Sequence, residues 1–180
     1  MNLLVIADDE LIKGRLPESK ADVLVSCGDL SDDVILDVAR HCSCRQIFAV
    51  KGNHDSAAKF AEPIVNLHRQ TYEFRGVRFG GFGGSWKYKP KGHHLFEQDE
   101  VEAALTSFPA VDVFVSHNSP RMIHDRDDDV HIGFVGLMNY IGRHQPRYLL
   151  HGHQHVNQET SVQATRVVGT YGFRWVVLPA

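Results

Sequence analysis

The sequence is short of every feature that would place it outside ordinary globular chemistry. Cysteine is scarce: Cys27, Cys42 and Cys44 are the only three in 180 residues. Three thiols make no disulfide framework, and Cys42 and Cys44 sit too close in sequence to pair readily with each other. A reducing, cytoplasmic setting is therefore expected. No apolar run approaches the roughly 20 residues that span a bilayer. The first residues lack the basic segment and cleavage site of a signal peptide and read at once as a strand. Repeats and low-complexity linkers are absent too, so residues 1–180 are expected to form a single domain. Nor is there a positive charge excess. A formal net charge of -3 argues against stable binding of nucleic acid, though not against a small nucleotide substrate held at a metal.

What is present in excess is histidine, twelve residues scattered along the chain. Histidine is the commonest metal ligand. Short apolar runs of strand type fall at 3–6, 22–26, 46–50, 111–116 and 147–150, with helical patterns between them at 31–42, 98–108 and 134–144. Ser31 stands where an N-cap would, ahead of Asp32 and Asp33. Strands alternating with helices imply βαβ units and a largely parallel sheet. Two stretches read as antiparallel hairpins: 71–82 around Arg75-Gly76, and a tail pair, 162–168 with 174–178, around 169–172. The mixture favours two packed sheets with helices outside over one doubly wound sheet.

The informative residues are those that end the strands. The first run stops at Asp8, Asp9 and Glu10, the second at Gly28-Asp29, and the third at Gly52-Asn53-His54-Asp55. The run at 111–116 stops at His117, and the last at Gly152-His153-Gln154-His155. In open α/β sheets, ligands bind beyond the carboxyl ends of the strands. Taken singly, each of these is an ordinary polar turn. Five in order, all at strand ends, point to one cleft. His153 and His155, two apart in extended backbone, project to the same side. Carboxylates, imidazoles and an amide oxygen, with no thiolate, suit Mn²⁺, Fe, Zn²⁺ or Mg²⁺. There are too many donors for one ion, and a carboxylate such as Asp29 can bridge two. Two metals about 3.5–4 Å apart form a clamp for displacement at phosphorus.

In this order the motifs resemble those of the calcineurin-like metallophosphoesterases: D-x-H, GD, GNH[DE], a His after a strand, and GHxH. Residues 80–85, 116–120 and His131-Ile132-Gly133 further resemble the Icc-related branch of small phosphoesterases. The resemblance implies an α/β fold, a four-layer α/β/β/α sandwich of two mixed β-sheets flanked by helices. It also implies two divalent metal ions, with Mn favoured. One would be held by Asp8, the third residue of the first motif, Asp29 and His155. The other would be held by Asp29 as bridge, Asn53, His117 and His153. His54 would be the unmetallated histidine and general acid.

The expected reaction is hydrolysis of a small phosphoester, a nucleotide among the candidates, by a metal-bridging hydroxide. His54 protonates the leaving group, and Asp55 orients His54 or favours its charged form. The diester preference rests on the resemblance and on the absence of an Arg clamp for a doubly charged phosphate. Glu10 stands where the pattern calls for His. It binds the first metal through oxygen, which is the favoured reading, or through water, or its presence weakens that site. Asp9 is expected to point away by strand alternation. By the Icc-like pattern, His131 contacts the substrate phosphate. The cationic, aromatic stretch 85–94 reads first as a solvated loop and second as a substrate contact. His41, His68, His124 and His144 read as surface or helix-end residues, and His151 as a support behind the ligands. The alternatives are a catalytically silent scaffold, a phosphomonoesterase and a nuclease. The sequence says nothing of oligomeric state.

Overall fold

Alternation along the first strand divides the core. In β1 (Asn2–Ala7), Leu3, Val5 and Ala7 face one apolar layer while Leu4 and Ile6 face another, and all five are fully buried. A strand buried on both faces reads as a continuous apolar run, which is why this one shows no polar alternation. The computed structural model describes residues 1–179, apart from the side chain of Lys13.

β1 runs parallel to β2 (Val23–Ser26), which runs parallel to β3 (Gln46–Ala49), and β4 (Val65–Asn66) extends that order. A second sheet is centred on β6 (Val77–Phe82), β9 (Val113–Ser116), β10 (Tyr148–His151) and β12 (Thr165–Gly169), all mutually parallel. Its edges are β5 (Thr71–Phe74), antiparallel to β6, and β11 (Glu159–Val162), antiparallel to β12. The first hairpin is therefore where the sequence places it. The short strands β7 (Ser85–Trp86) and β8 (Leu95–Phe96) pair apart from both sheets.

Between the sheets lie Leu3, Val5, Val25, Phe48, Phe79, Val115 and Leu150. Outside the first sheet, α1 (Asp32–His41) lays Ile35, Val38 and Ala39 on Leu4, Leu24 and Ile47. Outside the second, α2 (Gln98–Thr106) and α3 (Val135–His144) pack Leu105, Leu137 and Tyr140 on Phe114 and Leu149. The result is the four-layer α/β/β/α sandwich of two mixed sheets.

The tail differs from expectation. β12 and β13 (Gly172–Val177) do not pair with each other: β13 lies antiparallel to β1 in the first sheet, and β12 stays in the second. The reason is that β13 is apolar on both faces. Val176 joins the layer between the sheets, while Phe173 and Trp175 pack against the α1 side. A hairpin projecting from β12 would leave one of those faces in water; beside β1 both are covered. The hairpin of this region is β11–β12.

Because β1, β2, β3, β9 and β10 are parallel within their sheets, their carboxyl ends emerge along one rim. The ends are tied there, Asp8 N–H to Gly28 O at 3.3 Å and Gly152 N–H to His117 O at 3.0 Å. Phe48, fully buried between the sheets against Phe79, anchors the layer beneath this rim. Phe48→Ala is expected to cost about 3–5 kcal/mol by urea unfolding; a change under about 1 kcal/mol would show that the inter-sheet layer is not the main support.

Candidate metal centre

Side chains reach the cluster because the chain turns sharply where the strands stop. Asp8, Asp29, His153 and His155 all have left-handed backbone, with φ of 61°, 55°, 64° and 51°. Such angles are uncommon outside glycine, and strained conformations gather at functional sites. Gly28, at φ 97°, also makes a close approach. A Cβ there would sit 2.6 Å from Gly52 N and 2.8 Å from His117 Nδ1. The glycine of Gly28-Asp29 is thus fixed by the crowding of three strand ends.

Asp8, Asp29 and His117 form the centre, each offering a ligand atom within 4.8 Å of the others. His117 is fully buried, donates from Nδ1 to Cys27 O at 2.8 Å, and turns Nε2 to Asn53 Oδ1 at 3.0 Å and Asp29 Oδ2 at 3.4 Å. A ring nitrogen pinned to a backbone carbonyl is the usual way a protein aims the other nitrogen at a metal. His155 Nε2 stands 3.9 Å from Asp8 Oδ1. His153 donates its backbone N–H to Asp8 Oδ2 at 2.8 Å, and its ring centroid lies 4.9 Å from that of His117. Its Nε2 contacts Val130 O at 3.2 Å, which leaves Nδ1 as the free lone pair.

The charges are poised for a cation. Burial, opposed by His117 and reinforced by Asp29, lifts Asp8 from the ordinary 3.8 to about 7. Burial also pushes Asp29 upward, but the charge and hydrogen bond of His117, with the His54 N–H, hold it below the usual carboxylate range. Burial disfavours a charged His117, yet Asp29 and Asp8 raise it from 6.5 to about 9. Burial and His117 push His153 down to about 2, and burial also lowers His155, so both rings are neutral near pH 7. Asp8 Oδ1 is buried and accepts no hydrogen bond. An orphaned carboxylate oxygen between Asp29, His117 and His155 fits a divalent cation.

Other expected residues fall in different places. His54 is exposed and is held by its backbone N–H to Asp29 Oδ1 at 2.8 Å. Asp55 does not orient the His54 ring. Its Oδ2 accepts the backbone N–H of Gly52 at 2.7 Å and of Asp29 at 3.0 Å, which ties the second motif to the third. Glu10 turns away from the cluster: its oxygens accept the Ser31 N–H at 2.6 Å and the Ser31 hydroxyl at 2.9 Å. Ser31 is the α1 N-cap as expected, but its own side chain makes no capping bond. Glu10 accepts the N-cap N–H instead, as the glutamate of a capping box does from nearer by. Asp9 faces away, as alternation implies, bonded to Arg15 and the Leu11 N–H. His131 Nδ1 contacts Asp128 at 2.8 Å, and its ring centroid lies 5.1 Å from that of His153.

Two supports were not anticipated from the sequence. The stretch 85–94 is not simply solvated: Tyr88 Oη lies 3.3 Å from Asn53 Nδ2, which turns Asn53 Oδ1 toward His117. His124 is half-buried, with its Nδ1 2.9 Å from His151 Nε2. Neither has a sequence signal beyond residue type, because both contacts join segments far apart in the chain.

The sequence profile of the calcineurin-like phosphoesterase family matches residues 6–157, which takes in every strand end of the cluster. The chain belongs to the calcineurin-like phosphoesterase family. No match is found among curated proteins. Solved structures share the fold at low identity. Phosphopantetheinyl hydrolase from Mycobacterium tuberculosis superposes at a TM-score of 0.59 with 13% identity, over 98% of this chain and 95% of that one. Wild-type Vps29 with Zn²⁺ from Entamoeba histolytica gives 0.51 at 13% identity, over 95% and 74%. A 5'-nucleotidase, so described provisionally, from Staphylococcus aureus gives 0.54 at 11% identity, over 94% of this chain but 48% of that one.

Three outcomes follow for this calcineurin-like phosphoesterase. In the metal-free protein, His117 binds its proton more tightly when folded, so its stabilisation is full below pH 6.5 and is lost as pH rises through about 9. Thermal unfolding of the metal-free protein should therefore fall across that window, and saturating Mn²⁺ should flatten the fall; a parallel decline with and without metal would contradict the charge balance. Glu10→Ala should cost about 1 kcal/mol of stability through α1 while leaving metal content unchanged by elemental analysis; lost metal would make Glu10 a ligand. A Cβ on Gly152 would lie 2.6 Å from Asp8 Oδ2 and 2.8 Å from Ala7 Cβ, so Gly152→Ala should weaken Mn²⁺ binding at least about tenfold by calorimetry.

Proposed function

We propose that this chain is a two-metal phosphoesterase that prefers small phosphodiesters, nucleotides among them, and acts as a single domain in the cytoplasm. The observation that carries the reading is the buried Asp8 Oδ1, left without a partner among Asp29, His117 and His155. Asp8, Asp29 and His155 would hold one ion, and Asn53, His117 and His153 the other, with Asp29 shared. Manganese is favoured by the oxygen-rich donors, with Fe, Zn or Mg as substitutes. When bound, the pair supplies positive charge for the phosphoryl oxygens and acidifies water. Glu10 is left out of this set because Ser31 occupies both its oxygens.

The chain's own residues do the rest. His54 stands at the mouth with its backbone fixed to Asp29, so its ring is free to give a proton to the leaving oxygen. His131, held at Nδ1 by Asp128, keeps Nε2 for a phosphate oxygen. A cavity of about 300 Å³ borders His54 and is also lined by Lys51 and Lys59. Its three acids are already engaged, Glu10 by Ser31, Asp32 by Lys51 and Asp55 by backbone N–H groups. A small leaving group in this cavity would lie beside His54, with Lys59 to receive any negative charge on it.

A second reading is supported by Glu10. Its turn onto Ser31 leaves the first ion one donor short of the family pattern, which suits a weakly active or silent scaffold. A panel of Mn²⁺, Mg²⁺, Fe²⁺, Zn²⁺ and no metal, against aryl diesters, an aryl monoester and cyclic nucleotides, separates the two. Metal-dependent diester turnover is expected, and no turnover with any metal favours the scaffold. His54→Asn should lose about 10²–10⁴-fold with an alkyl leaving group and far less with 4-nitrophenolate, which needs no proton. Equal losses on both would remove His54 from the acid role.

A further inference from the structure

The peptide unit joining Gly152 to His153 is gripped at both ends. Its N–H donates to Asp8 Oδ2 at 2.8 Å. Its carbonyl accepts from Gln154 N–H at 2.7 Å and from His151 Nδ1 at 2.9 Å. A carbonyl cannot donate, so Nδ1 of His151 carries the hydrogen. In the neutral ring, Nε2 is then a lone pair and accepts from His124 Nδ1–H at 2.9 Å. That leaves His124 Nε2 to accept the Thr160 hydroxyl, also at 2.9 Å.

The chain of bonds therefore runs one way, from Thr160 on β11 through His124 and His151 to the Gly152 carbonyl. His151 is fully buried at the end of β10. Gly169 makes room for the pair: a Cβ there would lie 3.1 Å from His151 Cε1 and 3.2 Å from His124 Nδ1. Neither His124 nor Thr160 belongs to the carboxylate–imidazole cluster. What they govern is the plane of one peptide, whose N–H holds Asp8 Oδ2 and so decides where the unpartnered Oδ1 points.

We infer that Thr160, His124 and His151 form a positioning chain that sets divalent-metal affinity by fixing the Gly152–His153 peptide against Asp8. The inference rests on reading Asp8 as a metal ligand. Supports behind metal ligands are typically worth about 10–100-fold in affinity.

The test is Mn²⁺ titration calorimetry on the purified full chain, with ¹⁵N spectra of the histidine rings in the metal-free protein. Wild type should show His151 protonated at Nδ1; protonation at Nε2 overturns the chain. His124→Phe keeps the ring volume and loses the donor, so Mn²⁺ binding should weaken about tenfold or more. His124→Asn places an amide donor near the same position and should stay within about threefold of wild type. Unchanged affinity in the Phe variant, or an equal loss in both, overturns the inference. Should the Phe variant fail to fold, Thr160→Val decides, with about threefold weaker binding expected and wild-type affinity overturning it. A wild type that binds no Mn²⁺ sinks the metal-site reading and this inference together, whereas a binding wild type with indifferent variants sinks the inference alone.

Discussion

A carboxylate closes a strand that is buried on both faces, and one of its oxygens is bonded to nothing. Asp8 has 1% of its side chain exposed, and Asp29 has 9%. Two acids at that depth repel each other and lose their hydration, so the fold requires positive charge between them. Without metal, the buried cation beside them among the described residues is His117, whose pKa is raised to about 9 for that reason. Its proton supplies positive charge to the two carboxylates. The glycines and left-handed turns at the rim serve the same demand, since they let strand ends from both sheets converge on one point.

The two-sheet layout explains why the donors come from so much of the sequence. The first sheet supplies Asp8, Asp29 and the Asn53 loop, and the second supplies His117 and the loop of His153 and His155. The cluster is therefore a seam between sheets, held by bonds such as His153 N–H to Asp8 and His117 Nδ1 to Cys27 O. Family membership suggests phosphoester chemistry as a class, and the turn of Glu10 onto Ser31 sets that residue of the first strand end apart from the cluster.

Much of this was legible in the residues. Strand ends could be read because an apolar run followed by Asp, Asn or His is a local signal, and parallel βαβ order fixes which ends share a rim. The helices were found nearly whole, since 3.6-residue periodicity and terminal prolines are local too. What escaped was decided by distant contacts. Nothing local tells whether β13 returns to β12 or crosses to β1; only its two apolar faces hint at the crossing. Glu10 looks like a ligand by position, yet the N-terminus of α1 lies within its reach. Asp55 adjoins His54 in sequence but bonds backbone. Tyr88 and His124 meet Asn53 and His151 across long loops, and no spacing rule reaches that far.

The central claim is that the seam between the sheets holds a pair of divalent ions shared by Asp29. Elemental analysis after Mn²⁺ reconstitution and desalting tests it most directly, on wild type and Asp29→Ala together. The account predicts about two ions per chain in wild type and one or none in the variant. Equal metal content in the two proteins, or none in either, would contradict it.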